Sequence, residues 1–178
     1  ITKSPKIIEK VYYKDEVKVN PKVLTAIKEA DLILISMGSL YTSIIPDLLN
    51  SELLQEIDTC KAKIMYVCNM MTQPGETDDF KASDHLKVLN SYLGKKKISV
   101  VIANNGPIPE AMIKKYWKKE QKSPVILDKE NIKDVELIDK DYVAVVDNVI
   151  RYQPDKLALD IYGYLLEGGD DHVLYSKN

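Results

Sequence analysis

The sequence predicts an α/β domain on a doubly wound, mostly parallel, Rossmann-like sheet. Three observations predict it: short apolar runs rich in β-branched residues, amphipathic segments of helical length between them, and cap or turn residues at most junctions. Strands that read as continuous apolar runs are covered on both faces, and their alternation with helices implies right-handed crossovers. In such sheets a ligand binds beyond the carboxyl ends of the strands, where the strand order reverses.

Asn20-Pro21 reads as an N-cap followed by a proline at the first helical position, and Val23, Leu24 and Ile27 carry the helical spacing to Ala30. Residues 31–36 form the first apolar strand, and the turn from Met37 to Ser43 leads toward a helix from Pro46 to Ala62. A second strand spans Lys63 to Asn69 and opens a long loop through Pro74-Gly75. Ser83 is expected to cap a helix that runs to Leu93, with Gly94 at its C′ position.

The strand from Ile98 to Asn104 leads through Asn105-Gly106-Pro107 into a helix from Pro109 to about Gln121. Residues 125–127 read as another short strand. Beyond Lys129 the chain is charged and irregular until a strand at residues 142–147, and Pro154 opens a last helix that ends at Gly168-Gly169. Three loops lie at the predicted ligand edge: 37–43, 69–77 and 104–109.

The chain has 178 residues, 45% of them hydrophobic, so residues 1–178 are expected to bury one core as a single α/β domain. The apolar runs are strand-length, far short of the roughly 20 residues of a membrane helix, so no membrane insertion is expected. A formal charge of −2 provides no global field for a polyanion, which argues against nucleic acid as a partner. Cys60 and Cys68 are too few for a disulfide framework and lack metal-ligand spacing; a reducing cytoplasm is expected. The first residue is Ile1 rather than Met, from which we expect the natural chain to begin further upstream.

Gly38, with hydroxyls at Ser39, Tyr41, Thr42 and Ser43 and a helix start just beyond, has the makings of a phosphate cradle. The alternative is an ordinary strand-to-helix loop whose Ser and Thr serve as caps. It is neither a Walker loop, lacking a Lys after the glycine, nor a dinucleotide fingerprint, since Gly38 stands alone.

The stretch Ala30-Asp31-Leu32-Ile33 through Gly38-Ser39-Leu40-Tyr41-Thr42-Ser43-Ile44-Ile45-Pro46, with residues 66–77 (YVCNMMTQPGET) and Ala82-Ser83-Asp84-His85, resembles the gluconeogenesis factor family, relatives of the 2-phospho-lactate transferases. Asn104-Asn105-Gly106-Pro107-Ile108-Pro109 and Pro154-Asp155-Lys156-Leu157-Ala158 extend the resemblance over nearly the whole chain. It implies a CofD-like fold that binds a nucleotide-activated sugar such as UDP-N-acetylglucosamine and helps set carbon flow to the cell wall, and with it cell shape. An enzyme of cell-wall precursor synthesis is the regulated partner this implies, and self-association stays open. The family usually has Pro where Met37 stands and Asn where Asp47 stands. Its glycine-rich turn after the first strand is missing, so the chain resembles roughly the C-terminal half, and part of the ligand site is expected outside it.

Arg151 is the only arginine among 25 basic residues, and its planar fork suits phosphate or a base edge in a way lysine does not. The resemblance places a ligand-binding arginine at Arg151 and a ligand-binding tyrosine at Tyr116. The alternatives are a surface cation and a core-facing helix residue. Asn69, Thr72, Asn104 and Asn105 end strands at the predicted crevice and are candidates for sugar hydroxyls, with turn backbone as the competing partner.

His85 and His172 lack partners at metal spacing and read as structural or solvated. Glu76, Asp78, Asp79 and Asp84 crowd one loop and are candidates for Mg²⁺ beside a nucleotide diphosphate, with a solvated acidic loop as the alternative. Lysines 114, 115, 118, 119 and 122 around Trp117 form either a wet helix face or an interaction surface. No catalytic residue is assigned, because no general base stands out. The competing reading is a transferase that moves a phospho-lactyl-type group from a nucleotide donor to a deazaflavin-like acceptor.

Overall fold

The structure, a computed structural model, describes residues 8–166. The expected helix end at Gly168-Gly169 and His172 lie outside the described residues. Helix α1 spans Pro21–Glu29, and the Asn20 side chain accepts the Lys22 N–H at its start. Strand β1 (Leu32–Ile35) follows, then a π-helical turn at Leu40–Ile44 and a single helical turn, α2 (Ile45–Asp47). The expected helix from Pro46 to Ala62 is thus broken. Asn50 restarts it as α3 (Ser51–Thr59) by accepting the N–H groups of Glu52 and Leu53, satisfying two donors that a helix start leaves unpaired.

Strand β2 (Lys63–Val67), helix α4 (Ala82–Tyr92), strand β3 (Val100–Asn104) and helix α5 (Glu110–Glu120) come next. Ser83 does not cap α4 as expected. Asp84 accepts the Lys81 N–H at 2.9 Å, while Ser83 donates its hydroxyl and its N–H to the distant Asp128 carboxylate. Gly94 follows α4 for lack of room rather than for a left-handed φ: a Cβ there would meet Asp58 Oδ2 at 2.3 Å, and Asp58 is held by the Lys96 N–H. Residues 125–127 form no strand of the sheet; the stretch crosses the loops through isolated bridges, Met71 with Pro124 and Lys81 with Ile126.

The stretch expected to be irregular contains β4 (Glu136–Lys140), which pairs with β3 along its length, Ile102 opposite Ile138. The expected strand at 142–147 is the first arm of an antiparallel hairpin, β5 (Val143–Val146) and β6 (Val149–Tyr152). Its turn residues Asp147 and Asn148 have φ of 49° and 60°, the left-handed pair that matches the twist of a two-residue hairpin. Helix α6 (Pro154–Leu166) completes the described chain.

The sheet is parallel in the order β1-β2-β3-β4, and alternate residues of its strands enter two cores. Ile64, Tyr66, Val101 and Ala103 meet α3 and α4 on one face, with Leu89 fully buried. Met65, Val67, Val100 and Ile102 meet the hairpin and α6 on the other, through Tyr142, Tyr152 and Tyr164. Each fully buried aliphatic chain contributes roughly 1.5–3 kcal/mol. This is the mostly parallel α/β architecture that the sequence predicts. The strand order, however, does not reverse among the described strands, and the second face is covered by the hairpin and α6 instead of crossover helices.

Candidate functional site

The turn at residues 37–43 closes on itself: the Ser39 carbonyl accepts the N–H groups of both Ser43 and Ile44 at 3.0 Å, which makes the π-helical turn. Its anion position is already filled. One carboxylate oxygen of Glu76 accepts the Tyr41 N–H and the other accepts the Thr42 hydroxyl, each at 3.1 Å. Gln73 donates to Ser39 Oγ at 2.6 Å, and Asn69 donates to the carbonyls of Met37 and Gly38. Gly38, Ser39, Tyr41 and Thr42 therefore fasten the turn to the 69–77 loop, while Ser43 bonds only within the turn, through its N–H to Ser39. A Cβ on Gly38 would reach only van der Waals contact, 3.4 Å from Ile44 Cγ1 and Ser43 Cβ, so the turn itself does not demand glycine.

The loop's acidic groups do not converge on a cation. Asp78 accepts the Gly75 N–H at 2.7 Å, Asp84 caps α4, and Glu76 holds the turn. Among the described residues no group of three or more His, Cys, Asp or Glu side chains is placed to hold a metal ion. The residues thus do not fit the Mg²⁺ expectation. His85 is buried, its Nδ1 donates to the Lys81 carbonyl at 3.0 Å, and its ring meets Phe80 edge-on, which is a structural role.

A cavity of about 480 Å³ opens where the chain leaves β2 and meets the second-face elements. Asn69, Met70, Met71, Thr72 and Gln73 line one wall; Tyr116 and Lys122 from the end of α5, with Ile150, Arg151 and Tyr152 from β6, line the other. Four expected residues, Asn69, Thr72, Tyr116 and Arg151, are thus brought together from separate parts of the chain. The size falls within the range that holds small organic ligands.

Tyr116 is buried and its hydroxyl accepts the Ile150 N–H at 3.2 Å, so it holds β6 in place beside Arg151. Arg151 pairs with Ala144 through the hairpin backbone, but its side chain, exposed in the cavity wall, has no hydrogen-bond or ion-pair partner among the described residues. The second cation is Lys122, paired with Glu120 at 2.7 Å and 6.0 Å from the centre of the Tyr116 ring. Tyr152 donates to the Cys68 carbonyl at 2.5 Å, and burial, then neighbouring Cys68 and Tyr142, raises its hydroxyl well above the usual tyrosine range. Burial also pushes the Cys68 thiol up to about 12, so it stays neutral.

Asn69 accepts from the Tyr66 hydroxyl besides its two donations, which commits its amide to structure. Thr72 accepts the Ser123 N–H and keeps a hydroxyl proton to donate. Asn104 and Asn105 do not line this cavity: Asn104 binds Gly106 and accepts the Tyr142 N–H, and Asn105 donates to Asp139. Lys122, read in the sequence only as one of a lysine cluster, and Gln73, Tyr152, Met37, Met70 and Met71 were not expected as site residues. Tyr152 was within reach as the neighbour of Arg151, and the Met70-Met71 pair as the continuation of Asn69. Nothing local marks Lys122, which follows the left-handed stop at Gln121.

Residues 1–143 match the family described as 2-phospho-L-lactate transferase CofD, a match that stops short of Arg151. The gluconeogenesis factor of Bacillus subtilis (strain 168) is 41% identical over 140 residues, 78% of this chain and 44% of that protein. The gluconeogenesis factor of Listeria innocua is 39% identical over 156 residues, 86% of this chain and 47% of that protein. A crystal structure of a UPF0052 family member from Bacillus halodurans aligns with a TM-score of 0.85 at 36% identity, covering 90% of this chain and 52% of that one. The chain spans about half the length of the curated relatives it matches.

Proposed function

The chain belongs to the CofD family, and from that premise we propose that the cavity between the 69–73 segment and the β5–β6 hairpin binds a nucleotide-activated sugar of the UDP-N-acetylglucosamine type. In this reading the protein is a binding regulator of carbon flow toward the cell wall, and so of cell shape. In this proposal it acts in the cytoplasm through an enzyme of precursor synthesis; the name gluconeogenesis factor borne by its relatives supports the link to carbon flow. The observation that carries the reading is Arg151, an unpaired guanidinium in a cavity wall. A guanidinium gives phosphate two parallel charge-assisted bonds, and it is less strongly hydrated than an ammonium, so it gives up its water at smaller cost. Lys122 adds a second cation, while Met37, Met70, Met71 and Tyr152 offer polarizable, apolar surface to a planar base.

The family description favours a second reading, transfer of a phospho-lactyl-type group to a deazaflavin-like acceptor. The polar side chains that line the cavity are amides, hydroxyls and two cations, a set suited to holding an anion, beside the apolar Met37, Met70, Met71, Ile150, Pro154 and Leu157. Calorimetric titration with UDP-N-acetylglucosamine, a GDP compound and a deazaflavin precursor separates the two readings. Saturable binding of the UDP-sugar with no binding of the deazaflavin supports the regulator. Binding of the deazaflavin and the GDP compound, with none of the UDP-sugar, overturns it.

A further inference from the structure

A second cleft of about 590 Å³ lies against the first and shares its wall. Thr72 lines both. Along α5 and its exit the chain alternates between them: Tyr116 and Lys122 face the first cavity, while Trp117, Gln121 and Ser123 face the second. Successive helical residues point about 100° apart, which is how adjacent aromatic rings come to serve two neighbouring spaces.

The second cleft has its own chemistry. Trp117, the only tryptophan of the chain, is 61% exposed, an unusual setting for so large an apolar ring. Asp78, Asp79 and Lys118 also line this cleft, and Lys118 adds a donor for a sugar oxygen. Asp79 sits at φ 58° and makes no hydrogen bond to another described residue, and Asp78 has committed one oxygen to Gly75. A flat indole beside carboxylate acceptors is the complement of a pyranose, which offers an apolar C–H face and a rim of hydroxyl donors. Hydrogen bonds from hydroxyls to carboxylates are among the stronger ones available.

We infer that the second cleft takes the sugar of the nucleotide sugar, with Trp117 as the stacking platform and Asp78 and Asp79 as hydroxyl acceptors. The inference rests on the reading of the first cavity as the nucleotide site. It gives the acidic loop and the exposed tryptophan one shared task and makes the second cleft the seat of sugar specificity.

The test compares UDP with UDP-N-acetylglucosamine on the parent protein, Trp117→Ala and Trp117→Phe, by calorimetry and by tryptophan emission. Because Trp117 is largely exposed, neither substitution disturbs the core. The parent should bind the UDP-sugar more tightly than UDP. The alanine variant should lose about fivefold of that preference with UDP affinity unchanged, and phenylalanine should restore part of it. Emission from Trp117 should change with the UDP-sugar and not with UDP. An unchanged preference in Trp117→Ala, with UDP still bound, overturns the inference alone. Failure of the parent to bind either ligand overturns the nucleotide reading and the inference together.

Discussion

Glu76 shows how one side chain redirects a turn. A glycine followed by hydroxyls and a helix start is an anion site in outline, and the anion it holds is a carboxylate thirty-five residues down the same chain. Removing it by Glu76→Ala strips an acceptor from the half-buried Tyr41 N–H and should cost about 1–3 kcal/mol, while Glu76→Gln, which keeps one acceptor oxygen, should cost less. Urea unfolding of the two variants measures this, and equal stability of alanine variant and parent would show the bonds to be idle. His85 gives a residue-scale pH dependence. Burial holds its imidazole below the ordinary value, opposed by the bond to the Lys81 carbonyl and by nearby Asp84. As pH falls through about 6.5 the unfolded ring gains a proton that the folded ring refuses, so the unfolded state binds more protons and stability declines. Above that pH the contribution is fully present. The lowered carboxyls of Asp58 and Asp128 add their own losses only below the usual aspartate value. Unfolding midpoints should therefore drop between pH 7 and pH 5 in the parent and drop less in His85→Gln; parallel pH profiles would remove His85 as the cause.

At the scale of elements, what the sequence showed and what it hid follow from burial. Strands β2 and β3 are covered on both faces, so they carry continuous apolar runs and were legible at once. Strand β4 closes the described sheet at one edge, where Glu136, Asp139 and Lys140 are tolerated, and its mixed composition resembles a loop. The hairpin turn was hidden because Asp147-Asn148 lacks the glycine that usually announces such a turn, although both residue types adopt left-handed φ more readily than most. The break between α2 and α3 was hidden inside an amphipathic pattern that runs on through it. Asn50 causes it, and Asn50→Ala should lower stability by about 1 kcal/mol through loss of the two capping bonds, with ligand affinity unchanged. Thermal melts beside a UDP-sugar titration check both halves; an unaltered melting temperature would mean that α3 starts without its cap. The site was legible in part for the same kind of reason. Arg151 and Tyr116 stood out by resemblance, whereas Lys122 and the methionines join the cavity only through long-range packing that no local pattern encodes.

For the whole molecule, the two faces of the sheet divide the work. One is sealed by α3 and α4; the other is covered by a hairpin and α6 that leave the cavity open at the end of β2. Tyr116 ties α5 to β6 through the Ile150 N–H, and Tyr152 ties β6 to the end of β2 through the Cys68 carbonyl, so three separate parts of the chain hold Arg151 at the wall. The account stands on what that guanidinium does. The most direct measurement is calorimetric titration of UDP-N-acetylglucosamine into the parent, Arg151→Lys and Arg151→Ala at two salt concentrations. Arg151→Lys keeps the charge and loses the fork, and Arg151→Ala loses both; each charge-assisted bond lost should cost about 1.5–3 kcal/mol. Affinity should fall in the order parent, lysine, alanine, and the differences should persist at higher salt, since a paired contact is screened far less than a diffuse field. Binding by Arg151→Ala equal to that of the parent at both salt concentrations would contradict the account.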